Sequence, residues 1–181
     1  MVYSAARRTQ RLGAYAVVLR EDDRGIEHLL LTRISPVGHP RGWWGLPGGG
    51  VDHGESPGVT VVRELHEETG LQACATQLVE VHDVHVVEQG RGDRYEDFHG
   101  VHLVYAADVH GAGLPEPHVV DVGGTTDVVR WVPVPGLAEA PPGPLLAVVE
   151  HVLGHLQSYR SADSSGSIGP SAPGPVEPSG V

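Results

Sequence analysis

The chain has 181 residues, of which 40% are apolar and 19% are charged, and its formal net charge is −11. This length and composition suit one domain with a sizeable core, and no apolar run is long enough to cross a bilayer. The acidic balance argues against binding a nucleic-acid duplex through a basic face. We therefore expect no nucleic-acid duplex and no membrane as a partner, and a cytoplasmic location because we find no signal peptide.

The first predicted element is a β-hairpin. Two apolar runs, Leu12–Leu19 and Ile26–Arg33, flank a charged connection that ends at Gly25. Apolar runs around such a connection are typical of paired strands. The next stretch, Ser35–Gly50, is rich in glycine and proline and predicts a loop.

The clearest element is a helix over Ser56–Thr69. Ser56 suits the N-cap, Pro57 suits the first helical position and Gly70 suits the position after the end. At 100° per residue, one side is predicted to be buried and the opposite side to carry three carboxylates. The buried side comprises Val59, Val62, Leu65 and Thr69, and the acidic side comprises Glu64, Glu67 and Glu68.

The rest of the chain predicts three strands, a closing amphipathic helix and a tail. The strands are Leu78–Val87, His99–Val109 and Asp127–Val134, with a polar loop at Gly90–Asp97, and the helix is Leu145–Leu156. From residue 161 to residue 181, Ser, Gly and Pro supply 14 of 21 residues, which predicts disorder. Residues 1–160 are therefore expected to form one α/β domain, with a mixed sheet covered on both faces.

The three glutamates need an explanation because like charges at i, i+4 destabilise a helix by roughly 0.2–0.5 kcal/mol per pair. Taken alone, they indicate a solvated acidic face. However, clustered oxygen ligands also suit Mg²⁺ or Mn²⁺, and Gly48-Gly49-Gly50 lies just before the helix. Glycines let the backbone approach an ion or a phosphate closely. No Gly-Lys-Ser/Thr follows the glycines, so this is not a P-loop.

This stretch resembles the Nudix box. That motif is a glycine, five residues, Glu, seven residues, then Arg-Glu-apolar-any-Glu-Glu-any-Gly-apolar. The chain matches it without departure at Gly49, Glu55, Arg63, Glu64, Leu65, Glu67, Glu68, Gly70 and Leu71. The resemblance implies membership of the Nudix hydrolase family and a Nudix fold, which is an α/β/α sandwich around a mixed β-sheet.

The resemblance also implies Mg²⁺-dependent or Mn²⁺-dependent hydrolysis of a nucleoside diphosphate linked to another group. Glu64, Glu67 and Glu68, with the carbonyl of Gly49, would bind the metal. Arg63 would orient the glutamates by pairing with Glu55 or Glu67. Glu64 or Glu67 would accept a proton from water.

Other roles stay open at this point. A base from a later loop is the alternative, with Glu96 the main candidate and Glu88 and Asp97 beside it. Arg33 is a candidate for binding a substrate phosphate, with Gly48 and Gly50 approaching the substrate. An ordinary surface arginine is the alternative interpretation of Arg33.

The substrate class is not fixed by the sequence. The proline or tyrosine that marks some Nudix subfamilies downstream of the box is missing from Val84–Gln89. Nucleoside triphosphates and nucleotide sugars are open, a nucleotide sensor without activity is the alternative function, and a homodimer is expected only by analogy. Zinc binding through the pairs His82 and His85, or His99 and His102, is disfavoured because no partner pattern accompanies them.

Overall fold

A computed structural model describes residues 7–89, 95–109 and 115–160 of the chain. These ranges contain eight strands, which are β1 Arg7–Val17, β2 Leu19–Glu21, β3 Glu27–Ile34, β4 Trp44–Gly45, β5 Gly48–Gly50, β6 Ala75–Gln89, β7 Tyr95–Asp108 and β8 Thr126–Pro133. The same ranges contain three helices, which are α1 Pro57–Thr69, α2 Ala147–Gly154 and α3 Leu156–Arg160. None of these described helices is long and apolar enough to cross a membrane.

The strands form two four-stranded sheets. The first has the order β5-β1-β7-β6 and is mixed, because β1 and β7 run parallel while the other pairs are antiparallel. The second is antiparallel, with β3 paired to β2, β4 and β8. The three-residue strand β5 lies at the edge of the first sheet and places the glycines of the box loop beside β1.

Alternating residues of β1 and β3 face two separate cores. Ala14, Ala16 and Leu30 contact the core under α1, whereas Val17 and Leu29 contact the core under α2 and α3. Successive side chains of a strand point to opposite faces, so the sheets are covered on both sides. The predicted α/β/α sandwich around a mixed sheet is confirmed.

Helix α1 begins and ends where its sequence predicts. Pro57 is its first residue, and Ser56 has extended dihedrals at the N-cap, although its side chain makes no capping hydrogen bond. Gly70 adopts the left-handed conformation with φ 71°, and its N–H donates to the carbonyl of His66. Glycine adopts that conformation without the steric cost of a Cβ, so it ends the helix sharply.

Several predicted boundaries differ from the observed ones. The hairpin turn is at the predicted place, but only Leu19–Glu21 pairs with β3, while the longer run before it joins the other sheet. Residues 95–97 of the predicted polar loop extend β7, and residues 90–94 lie outside the described residues. The closing helix divides at His155 into α2 and α3. The predicted disordered tail, residues 161–181, also lies outside the described residues.

Candidate active site

Helix α1 buries Leu65 and Thr69, as predicted, but the rest of its buried stripe differs from the predicted one. Val59 is 52% exposed, whereas Val61 is fully buried and Glu68 is only 8% exposed. The observed stripe runs through Val61, Leu65 and Glu68, which have i, i+4, i+7 spacing, because that side packs against β1 and β5. The prediction that all three glutamates share the face opposite the core was therefore wrong for Glu68.

Glu68 is held by hydrogen bonds to both of its carboxylate oxygens. The N–H of Gly48 donates to Oε2 at 3.0 Å, and the hydroxyl of Thr126 donates to Oε1. The pKa of Glu68 is raised to about 7, chiefly by burial and also by the neighbouring charge of Glu64, while hydrogen bonds from Thr126, Gly48 and Thr32 act in the opposite direction. Glu68 thus connects the helix to β5 and β8 from inside the protein.

Arg63 gathers three carboxylates around one guanidinium. Its Nε and Nη2 donate to the two oxygens of Glu55, each at 3.0 Å. Its Nη1 donates to Glu64 Oε1 at 2.8 Å and to Glu67 Oε2 at 3.0 Å. Thr60 donates a further hydrogen bond to Glu55 at 2.7 Å. Arg63 therefore fixes the orientation of Glu64 and Glu67, and Glu55 fixes the orientation of Arg63.

The glycines of β5 leave room for these side chains. A Cβ on Gly49 would lie 2.6 Å from Glu64 Oε1, so Glu64 occupies the space that any other residue would fill. Gly48 has φ 149°, and a Cβ there would collide with the backbone carbonyl of Ala14. A side chain at position 48 would therefore disturb the pairing of β5 with β1, whereas a side chain at position 49 would displace the carboxylate of Glu64.

The donor set fits a hard divalent cation. Glu55, Glu64 and Glu67 bond to Arg63, and Glu68 interacts with the charge of Glu64, so the four glutamates and one arginine carry a formal charge of −3 when all are ionised. No hydrogen bond from a described residue reaches Glu64 Oε2 or Glu67 Oε1, so each offers a free oxygen. Within the described ranges, no three His, Cys, Asp or Glu side chains converge to enclose an ion. Mg²⁺ needs only one or two carboxylates, because it keeps several water ligands.

The family of the chain follows from a match that includes this carboxylate cluster. Residues 9–148 match the family model for the NUDIX domain, a range that includes the carboxylate cluster and both sheets. The chain belongs to the Nudix family.

Named relatives support this membership over different lengths. An ADP-ribose pyrophosphatase of Mycobacterium tuberculosis is 30% identical over 126 residues, which are 69% of this chain and 54% of that protein. A putative 8-oxo-dGTP diphosphatase 3 from the same species is 44% identical over 64 residues, 35% of this chain and 30% of that protein. The Nudix chain thus spans about half, or less, of the length of these two relatives.

A solved structure shares the Nudix fold over nearly its whole length. The crystal structure of a MutT NUDIX hydrolase from Burkholderia pseudomallei superimposes with a TM-score of 0.58 and 28% identity. The match covers 81% of this chain and 97% of that chain. The box residues therefore lie in a fold that a solved family member also adopts.

The structure does not bring every predicted site residue of this Nudix chain to the cluster. Arg33 donates two hydrogen bonds to the carboxylate of Asp127, at 2.9 and 3.0 Å. Its neighbour Thr32 bonds to Glu68, so Arg33, the next residue of β3, points to the opposite face of the strand. Glu96 pairs in register with Arg7, six positions before Gly13 on β1, a separation of about 20 Å at the usual strand rise. Asp97 is paired with His85 and Arg8. Glu88 is in β6, and its side chain lies outside the described residues.

The histidines pair differently from the two combinations considered in the sequence. His82 lies against His102 rather than His85, with 3.4 Å between their Nδ1 atoms. His99 lies beside Asp83 and His85 rather than His102. The two histidine pairs considered in the sequence are therefore not the pairs that the structure brings together.

Sequence reasoning missed the residues that support the box from elsewhere in the chain. Thr126 is 58 positions from the glutamate to which it donates, and Thr60 looks like an ordinary helix residue. Tyr15 and Arg11 lie on β1 next to the glycine strand. The sequence predicted a strand at Leu12–Leu19 but not its position between β5 and β7.

Replacing Glu55 with glutamine should destabilise the protein by roughly 1–2 kcal/mol at pH 7, because the partly solvated Arg63 guanidinium loses one of its three charged partners, the one that it bonds through two nitrogens. Hydrogen bonds from Arg63 lower the pKa of Glu55 from 4.5 to about 2. A depressed pKa stabilises the folded state above the ordinary value, and this stabilisation is lost as pH falls from about 4.5 to 2. The urea midpoint of Glu55→Gln should accordingly lie below that of wild type at pH 7, and the difference between the two midpoints should be smaller at pH 3.

The control for this prediction is Glu139→Gln, which makes the same chemical change at an exposed position after β8. That variant should match wild type at both pH values. An equal loss of stability in Glu55→Gln at pH 7 and pH 3 would contradict the assigned ion pair.

Proposed function

We propose that the chain is a divalent-metal-dependent pyrophosphohydrolase that cleaves a nucleoside diphosphate linked to another group. The observation that carries this proposal is that the carboxylates around Arg63 outnumber its single positive charge in a half-buried site. Glu64 and Glu67 each keep one oxygen that accepts no hydrogen bond from a described residue. Burial without full neutralisation raises the pKa of Glu64, with Glu67 and Glu55 adding to the rise and Arg63 opposing it. A site that gathers carboxylates at such a cost is best explained by a cation that binds there.

The names of these relatives favour the same reaction class. One is an ADP-ribose pyrophosphatase and the other a putative 8-oxo-dGTP diphosphatase, and both names describe cleavage between phosphates. The first match extends over about twice as many residues, so ADP-ribose is the first substrate to test. The metal is proposed as Mg²⁺ or Mn²⁺, and the protein is proposed to be cytoplasmic.

Each residue of the cluster has a separate task in this proposal. Glu55 holds Arg63, and Arg63 fixes one oxygen each of Glu64 and Glu67. Glu64 and Glu67 would bind the metal, with the buried Glu68 and the carbonyl of Gly49 completing the site. The chemistry that the metal supplies when bound is neutralisation of phosphate charge and activation of water. Glu67, which has 40% of its side chain exposed, would accept the proton of the attacking water.

The direct test is a panel of nucleotides incubated with the protein and Mg²⁺ or Mn²⁺, followed by identification of the products. The panel should contain ADP-ribose, 8-oxo-dGTP, the common nucleoside triphosphates, nucleotide sugars and dinucleoside polyphosphates. Products that each retain a phosphate from the cleaved linkage would support the proposal. Binding of a nucleotide without turnover of any compound in the panel would reject hydrolysis in favour of a nucleotide sensor.

Metal binding should also appear as a change in stability that depends on pH. Burial raises the pKa of Glu68 to about 7, so the metal-free protein should lose stability as pH rises from about 4.5 to 7. Mg²⁺ should reverse this loss, because it binds the deprotonated carboxylates. Melting temperatures in EDTA and in MgCl₂ should therefore differ by more at pH 8 than at pH 5.5.

The variant Glu64→Gln is the matched comparison, because it keeps the shape of the side chain while removing one proposed ligand. It should lose most of the Mg²⁺-induced rise in melting temperature at pH 8. Equal melting temperatures of the wild-type protein with EDTA and with Mg²⁺ at both pH values would reject the metal site.

A further inference from the structure

The other face of the glycine strand β5 carries a second group of polar side chains. Gly49 faces Glu64, so its neighbours Gly48 and Gly50 present the opposite side of the strand, as alternation requires. On that side Gly50 pairs in register with Gly13 of β1. Neither residue has a side chain, and together they form a flat floor, which we call the Gly13–Gly50 floor.

Arg11 lies directly over one half of this floor. A Cβ on Gly50 would be 2.5 Å from Arg11 Nη2 and 2.8 Å from Nε, so the guanidinium rests on the glycine backbone. Arg11 is exposed to solvent. Among the described residues, it forms no ion pair and lies over no aromatic ring.

This lack of a partner distinguishes Arg11 from the other strand arginines with described side chains. Arg8 and Arg33 pair with aspartates, while Arg20 and Arg130 lie over tryptophan rings. The helical Arg63 is committed to three glutamates. Arg11 thus offers its whole guanidinium fork to a ligand, and a planar fork is well suited to phosphate.

Tyr15 covers the other half of the floor. A Cβ on Gly13 would be 2.7 Å from Tyr15 Cε2 and 3.1 Å from its hydroxyl oxygen, so the phenol leans over Gly13. The ring is supported from behind by His102, with 4.9 Å between ring centroids. The hydroxyl of Tyr15 also lies close enough to Arg11, Glu64 and Glu68 to interact electrostatically with all three. Tyr15 therefore links the floor to the carboxylate cluster.

We propose that Arg11, with Tyr15 beside it, binds a phosphate group of the nucleotide at the Gly13–Gly50 floor. This inference rests on the proposed function, since it gives a binding site to the phosphate group of the substrate that the metal site would not hold. A diphosphate carries more negative charge than one or two divalent ions neutralise beside several carboxylates, and Arg63 and Arg33 are already paired. Because β5 is an edge strand, one ligand can reach Glu64 on one face and Arg11 on the other. Arg11 replaces Arg33 as the phosphate-binding arginine in this proposal.

The test is equilibrium binding to the full chain, with Ca²⁺ in place of Mg²⁺ to suppress turnover. The probes are ADP and inorganic pyrophosphate, measured by calorimetry against wild type, Arg11→Met, Arg11→Lys and Arg33→Met. Arg11→Met should weaken both probes by about 10- to 100-fold, as expected for loss of a charged hydrogen-bond donor. Arg11→Lys should give an intermediate loss, because it keeps the charge without the fork. Arg33→Met should change either affinity by less than about twofold.

Several results would overturn the proposal. They are binding of both probes to Arg11→Met within twofold of wild type, a loss for ADP without a loss for pyrophosphate, or no binding of either probe to wild type. The melting temperature of Arg11→Met should match that of wild type because the side chain is exposed. If Arg11→Met does not fold, the affinities of Arg11→Lys for the two probes test the proposal instead. Binding that depends on Arg11, without turnover of any nucleotide, would support this subsite while rejecting hydrolysis.

Discussion

Replacing Glu67 with glutamine is expected to lower turnover of the best substrate by about 10²- to 10⁴-fold, the usual contribution of a general base. Glutamine keeps an oxygen that can accept the bond from Arg63 Nη1, which is now 3.0 Å from Glu67. It removes the negative charge and the ability to take a proton. The side chain is 40% exposed, so the fold should lose little stability. The measurement is kcat under saturating substrate, with a melting curve of the same sample.

The control for Glu67→Gln is Glu96→Gln, which tests the alternative base directly. Glu96 is exposed on β7, at the far end of the sheet from the glycine strand. Its replacement should leave kcat within about twofold of wild type. A large loss in Glu96→Gln with near-normal activity in Glu67→Gln would move the base from the box to that end of the sheet.

The variant Gly49→Ala is expected to reduce turnover by about 100-fold while changing stability by less than about 1 kcal/mol. Gly49 does not have a positive φ, so alanine meets no backbone strain there. The added Cβ would lie 2.6 Å from Glu64 Oε1, and the flexible end of Glu64 can move away cheaply. That movement displaces a proposed metal ligand, and a misplacement of about 1 Å near the chemistry can cost 10²-fold in rate.

Gly58→Ala provides the same substitution without the steric consequence. Gly58 is the second residue of α1, and the nearest atom outside the helix backbone to a Cβ there is Ser56 Oγ at 4.0 Å. Alanine should stabilise the helix by up to about 1 kcal/mol and leave kcat unchanged. Full activity in Gly49→Ala, or an equal loss in both variants, would contradict the role given to Gly49.

Local chemistry explains which elements the sequence predicts well. The ends of α1 depend on Pro57 and Gly70, and each acts through its own backbone geometry without any distant partner. The β-strand at 126–133 and the alternating strand before residue 109 are likewise indicated by patterns over a few neighbouring residues. The spacing of the box residues along one helix also made it predictable that Arg63, Glu64 and Glu67 would meet.

Contacts between distant segments explain what the sequence did not predict. The valines of α1 suggested a buried stripe through Val59 and Val62, yet the sheet packs against the side that contains Glu68. Helical periodicity limits the choice of faces, but only the position of the neighbouring strands selects one. The division of the closing helix at His155 is similarly a matter of packing, because α2 and α3 share one core with β1 and β3.

The sequence by itself determined the family of this protein, the limits of its central helix and the carboxylates that it gathers, since all of these depend on residues within one short segment. Tertiary structure decided the environment of each carboxylate. It buried Glu68 beside Thr126, paired Arg33 with Asp127 and placed Arg11 over Gly50 without an ion-pair partner among the described residues. The physical reason is that strand pairing and burial join residues far apart in the chain, and burial and charge pairing set the protonation and availability of each group.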